Sequence, residues 1–445
     1  MKKLFTTVAI LLVIALKLSA QSEQITKTGL NFGPLPAVAF DADKGFQYGA
    51  LLQIFNYGNG ENYPNYNSKM YMEYSRFTKG SQLIQFRYDD KYLIPGVRWS
   101  SAFRGILDKA YDFYGFNGYD TNFDPAQMNP FYRYSRYEYL FKSDFIGKLG
   151  EHLNWMAGLY ASYYKLGSID YDSINKGKAD DKKFPTNMPT LYDAYKQSGV
   201  ISEKEADGGF SSGARLGLEY DSRDKEGAPT RGVWADAHVL LAPFSETPFY
   251  RYSLTWMHFL PLIDNDVLTF AYRLNYEGTF GSQAPFYALS YISVVGEQID
   301  KEGMGGADTG RGLMRCRAVG LDMATYVAEL RWRFTRFTLW NQNVALALNA
   351  FSDGVMVTRG LDISKLPASL KTVYPAAPAD VKLTTGAGEM PHVTVGGGFR
   401  FIMNENFIVR AEYGLPVTKF AAKESSALYA QDGKGSLYIG LGYLF

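Results

Sequence analysis

Hydrophobicity in this chain alternates with period two over stretch after stretch of about ten residues, and that pattern restricts the fold more than any other feature. From Leu268 to Glu277, one face carries Leu268, Phe270, Tyr272, Leu274 and Tyr276. The other carries Thr269, Ala271, Arg273, Asn275 and Glu277. Ala324 to Phe334 repeats the pattern, with Ala324, Tyr326, Ala328, Leu330, Trp332 and Phe334 opposing Thr325, Val327, Glu329, Arg331 and Arg333. Side chains point to alternate sides of a β-strand, so each segment is a strand with one apolar and one polar face. A tilted strand of ~9–11 residues crosses a bilayer. In lipid an open sheet edge would leave backbone groups unpaired, so strands of this kind must close into a barrel.

Similar segments run near 35–42, 46–56, 67–78, 81–90, 95–105, 132–145, 152–165, 210–222, 231–243, 249–260, 267–279, 321–336, 343–353, 392–403, 406–414 and 436–445. The count is even, as single-chain bacterial barrels require. If the first strand starts in the periplasm, the short connections Asp264-Asn265-Asp266, Trp340-Asn341-Gln342 and Asn404-Glu405 are periplasmic. The long ones, near 106–131, 166–209, 280–320, 354–391 and 415–435, then all fall outside, the topology such barrels show. The predicted fold is an all-β, 16-stranded antiparallel transmembrane barrel spanning 34–445, after a signal peptide at 1–20 and a short periplasmic segment at 21–33.

The signal is read from Lys2 and Lys3, an apolar run from Leu4 to Leu16, and Leu18-Ser19-Ala20 as the cleavage site. The apolar run is too short for the ~20 residues of a transmembrane helix. At the other end, Leu437, Ile439, Leu441, Tyr443 and Phe445 form one apolar row, and Tyr438, Gly440 and Gly442 face the other way. Tyr443 and Phe445 would place aromatic rings at the membrane interface, where such rings concentrate.

Composition narrows the function. The 34 Tyr, 30 Phe and 44 Gly, with no long apolar run after the signal, suit strands that are apolar on one face only. A net charge of +1, before three lysines leave with the signal, offers no attraction for nucleic acid. The single cysteine, Cys316, excludes a disulfide framework and reads as a small residue in a packed loop. His152, His238, His258 and His392 lack metal-ligand spacing, and no cofactor is expected. Gly209-Phe210-Ser211-Ser212-Gly213 matches a nucleophile elbow in letters alone, since an alternating strand rather than a helix follows it. Gly396-Gly397-Gly398 lies in a strand, where small residues relieve crowding. Pro189 to Lys196 reads as a short helix capped by Thr190 and Asp193, a lid element on the outer face. The inward faces carry Arg215, Glu219, Asp221, Arg273, Glu277, Glu329, Arg331, Arg333, Arg400, Arg410 and Glu412. Mixed signs predict salt-bridge networks across the lumen, whereas an ion filter would gather one sign.

Gly217 to Asp224, followed by Ala228-Pro229-Thr230-Arg231-Gly232, resembles a strand–turn–strand signature of the BamA/TamA superfamily, the bacterial surface antigen barrels. Met304 to Leu313, containing Gly305, Gly306, Arg311 and Gly312, resembles the family's sixth outer loop with its Arg-Gly-aromatic motif. Tyr326 to Arg331, Phe351-Ser352-Asp353-Gly354, Gly396 to Arg400 and Val409 to Gly414 resemble the strands that follow. The likeness covers about 210–445 and is weaker before that. Leu313 stands where an aromatic is usual, and Gly310 where an aliphatic is common.

The resemblance implies a sixth loop folded back into the lumen, with Arg311 meeting Phe351 and Asp353 among neighbours that include Glu329 and Arg331. The changes at Leu313 and Gly310 suggest a loop less firmly docked than in the family. Family members that insert or secrete proteins carry periplasmic POTRA modules, and the dozen or so residues between Gln21 and the first strand are too few for one. The function implied is non-enzymatic: an accessory or variant factor in assembly or translocation of outer-membrane or surface proteins. Its partners would be outer-membrane lipid and other assembly proteins or client barrels. The alternative is a porin-like channel or a passive structural barrel; a lumen filled by residues 301–318 would favour the assembly lineage.

Overall fold

The computed structural model describes residues 25–441 apart from 42–43, 125–128, 187, 264–265, 374–381, 387 and 418–434. The signal peptide read at 1–20, together with Tyr443 and Phe445, lies outside the described residues. Sixteen antiparallel strands close into one barrel. They are β1 (Leu30–Asp41), β2 (Gly45–Asn56), β3 (Ser68–Phe77), β4 (Gln82–Ile94), β5 (Val97–Asp112), β6 (Arg133–Lys148), β7 (Leu153–Gly167) and β8 (Gly208–Asp221). The second half comprises β9 (Gly232–Ser245), β10 (Phe249–Ile263), β11 (Leu268–Thr279), β12 (Asp322–Leu339), β13 (Gln342–Arg359), β14 (His392–Met403), β15 (Phe407–Pro416) and β16 (Ser436–Leu441). Each pairs with its sequence neighbours, and β1 meets β16 with Phe40 opposite Ile439 and Asp41 opposite Tyr438.

Three boundaries differ from the sequence reading by five residues or more, the largest at β5, which runs to Asp112 rather than stopping near 105, with a register shift between Asp108 and Tyr111 that breaks its alternation. β1 begins at Leu30 rather than near 35, because Pro34 and Pro36, which lack the ladder donor, mask an alternation that Leu30 and Phe32 already carry. β13 continues to Arg359 rather than stopping near 353. Gly354 lies within the paired strand, opposite Tyr326, whose ring occupies the space a Cβ would need.

The connections sort by length onto two rims. Those after β5, β7, β11, β13 and β15 are the long ones, and all five share one rim. The opposite rim carries the turns after β2, β4, β6, β8, β10, β12 and β14. Outward faces are apolar yet exposed, as at Leu254, Trp256, Leu274, Leu330 and Leu348, a pattern that lipid rather than water stabilises.

Inside, the lumen wall is largely polar, and the largest apolar cluster among the described residues lies above it, under the long connections. Tyr111, Phe113, Phe116, Tyr134, Tyr192 and Phe286 belong to one buried aromatic cluster there. The helix Leu191–Ser198 is part of it: Thr190 and Asp193 form a reciprocal capping box, and Leu191, Tyr192, Ala194 and Tyr195 are buried. Cys316 packs in the same cluster, its Sγ 3.0 Å from the Tyr111 hydroxyl.

Candidate functional site in the barrel lumen

The connection 280–321 turns down into the lumen and carries Arg311 to full burial. Its Nε and Nη2 donate to Oδ2 and Oδ1 of Asp353, both at 2.8 Å, a fork-to-fork pair. The Arg311 backbone N–H donates to the same carboxylate at 2.9 Å. Nη1 reaches Glu329 at 2.8 Å and Glu412 at 3.0 Å. Beneath this hub the guanidinium carbon lies 3.4 Å from the centre of the Phe351 ring, where the face of the ring attracts a cation.

One cation would leave these carboxylates mutually repelling, and the strands supply more. Arg400 bonds both Glu329, at 2.7 Å, and Glu412, at 2.6 Å. Arg331 donates to Glu329 at 2.7 Å. Arg410 lies 3.4 Å from Glu412 and 2.9 Å from Asp308 of the loop itself. A buried charge is tolerated only when it is paired with good geometry, and this network meets that condition through β12, β13, β14 and β15 at once.

The loop's glycines shape its descent. Gly305 and Gly306 adopt φ of +102° and +86°, values that disfavour any other residue. The Gly306 N–H donates to the Leu313 carbonyl at 3.0 Å, and Thr309 Oγ1 accepts from the Gly305 N–H at 3.0 Å, folding 305–313 into a compact knot. Leu313 is 1% exposed, packed with Ile292, Met304, Ala318, Met323, Val355 and Val357. Gly310 lies close to Val355: a Cβ added at Gly310 would stand 3.2 Å from a Val355 methyl. The loop is therefore firmly seated, contrary to the expectation from its two unusual residues. Leu313 fills an apolar socket that suits it, and Gly310 leaves Val355 its place.

Several contributors escaped the sequence reading. Glu412 shares Arg311 with Asp353 and Glu329, whereas alternation shows only that it faces inward. Tyr438 of β16 is buried, and its hydroxyl accepts from the Gly312 N–H at 3.2 Å. Gly396 leaves room for the Phe351 ring, which a Cβ there would strike. His238 lies 2.6 Å from Asp236 and 2.9 Å from the Ser293 hydroxyl, the connectivity of a hydrolytic triad. Arg215 also holds Ser293, at 3.1 Å, and all of these residues are buried. That chain ties the loop to β9. Ser211 of the literal elbow motif lies inside β8, with no helix behind it.

With this geometry in hand, comparison with known proteins is decisive at one point: the family model of the Omp85 superfamily domain matches residues 81–430. The chain belongs to the Omp85 superfamily. Among solved structures, it resembles BamA from Haemophilus ducreyi lacking POTRA domains 1–3, with a TM-score of 0.51 and 16% identity over 94% of this chain and 70% of that one. CdiB from Escherichia coli gives a TM-score of 0.48 and 10% identity, over 94% of this chain and 64% of that one. No curated protein matches the chain. This Omp85 chain is thus an outer-membrane β-barrel of a family that serves protein assembly or secretion, whose members act in complexes with other proteins.

Proposed function

We propose that this Omp85 barrel assists assembly or translocation of outer-membrane or surface proteins, as an accessory to a larger machine. Its instrument is the seam between β1 and β16 and no catalytic residue. The carrying observation is the seating of residues 301–318 in the lumen, with Arg311 on Asp353, Glu329 and Glu412 and Gly312 on Tyr438 of the seam strand. A porin needs an open lumen, and here the loop occupies it.

Strand length supports the same reading. β1 has 12 residues and β15 has 10, against 14 each in β8 and β9 across the ring. Short strands near the seam offer a shorter apolar band, which lipid matches by thinning, and thinned lipid lowers the barrier to inserting another barrel. Lipid and client barrels are then the partners, with other assembly proteins supplying the clients.

Affinity isolation from native membranes, combined with controlled depletion, tests this. Assembly factors or client barrels should copurify, and depletion should lower the levels of other outer-membrane barrels. A solitary chain whose loss leaves those levels unchanged would return it to the passive-barrel reading.

A further inference from the structure

The rim opposite the long connections is closed from within by two turns that reach across it. The turn 57–67, between β2 and β3, touches parts of the ring far from its own strands. Asn406, in the turn between β14 and β15, donates from Nδ2 to the Pro64 carbonyl at 2.7 Å and to the Tyr57 hydroxyl at 3.1 Å. Asn343, at the start of β13, donates to the Tyr63 hydroxyl at 2.9 Å. Asn65 accepts from the Glu226 N–H at 3.2 Å, in the turn 222–231 between β8 and β9.

That second turn crosses from the other side. Ala228 is buried among Ala345, Ala347, Ile402 and Ile408 of the far wall, and its carbonyl accepts from Arg333 at 3.2 Å. Glu226 is held by Lys91 at 2.7 Å and Arg98 at 3.2 Å. Burial alone would raise the Glu226 carboxyl, but Arg98, Lys91 and Arg223 hold it down at about 2, so the anchor stays charged. The N-terminal segment braces the first turn: Asn343 exchanges two hydrogen bonds with the backbone of Ile25, at 2.9 and 2.8 Å. Gly60, at φ +90°, has Thr26 and Thr28 so close that a Cβ would stand 2.9 Å from each methyl.

Above the turns lies a cavity of about 480 Å³, with Tyr66, Glu226, Gly227 and Asn406 in its lining and Gln53, Lys69 and Tyr71 on its wall. We propose that the turn 57–67 is a gate: seated on Asn406, Asn343 and Glu226 it seals this cavity from the short-turn side, and unseated it opens the cavity to water and to a chain entering there. The turn's contacts on the far side of the mouth are side-chain amide bonds, while Tyr57 and Gly58 at its base stay paired with Gly29. The turn can therefore swing out while the barrel stays closed.

The test uses the full chain in lipid nanodiscs, carrying Gln53→Cys in a Cys316→Ser background, and follows its reaction with a small charged thiol reagent. Asn406→Ala removes two of the turn's hydrogen bonds and should speed labelling about tenfold, the factor that ~1.4 kcal/mol gives for a closed–open equilibrium. Gly60→Val, which wedges the turn off the N-terminal segment, should do the same. Trp340→Ala, an exposed tip on the same rim, should leave the rate unchanged. Heat-modifiable migration in gels checks that each variant remains a barrel. Equal rates in all four proteins, or an equal rise with Trp340→Ala, would overturn the gate.

Discussion

Gly312 and Gly414 lie backbone against backbone: a Cβ on Gly312 would stand 2.7 Å from the Gly414 carbonyl carbon, and one on Gly414 would collide with the Arg311 carbonyl. The loop motif and the penultimate strand thus meet where neither can carry a side chain. Gly414→Ala should push the Arg311 turn off β15 and cost about 1–3 kcal/mol, as overpacking of a close contact does. The temperature at which the barrel loses its heat-modifiable gel mobility should fall, and the loop should become open to protease. Unchanged mobility and protection would mean the approach tolerates a methyl group.

Arg311 and Asp353 make a second quantitative test. Arg311→Ala leaves Asp353 buried without its fork partner and should cost about 3–5 kcal/mol. Neutralising both residues should hurt less than the sum of the singles, since no lone charge remains at the pair. Glu329 and Glu412 also face Arg311, so the double variant should still fall short of the parent. Strict additivity in the denaturation cycle would show that the two residues act independently.

Surface labelling tests the orientation. Asp180 and Ser364 are exposed in long connections, and Trp340 is exposed at the opposite rim. Cysteines at 180 and 364 should react with an impermeant reagent on intact cells, while one at 340 should not. Leu370, in the same long connection as Ser364, is buried and would report nothing. The reverse pattern would invert the barrel in the membrane.

Deleting Phe445, or replacing Tyr443 with Asp, should sharply reduce the amount of barrel in the outer membrane. The apolar row that begins at Leu437 and Ile439 would lose its interfacial ring or bury a charge near lipid. Normal membrane levels of both variants would refute that reading of the terminal strand.

Period-two alternation by itself determined the strands, their number and the rim on which each long connection falls, because a strand's two faces are written in consecutive residues. It also determined which charges face the lumen: Glu329, Arg331, Arg400 and Glu412 are inward by parity alone. The loop's seat was legible only through a resemblance, for nothing local to Arg311 says that Asp353 lies beside it. Tertiary structure decided what distance along the chain conceals. Glu329 and Glu412 join one guanidinium because β12 and β15 face the same stretch of lumen, and Gly396 is empty because Phe351 needs its space. Asn406 holds Pro64 for the same kind of reason, since closing the ring brings turns far apart in sequence over one mouth. Alternation records which way a side chain points, and only closure of the barrel decides what it meets there.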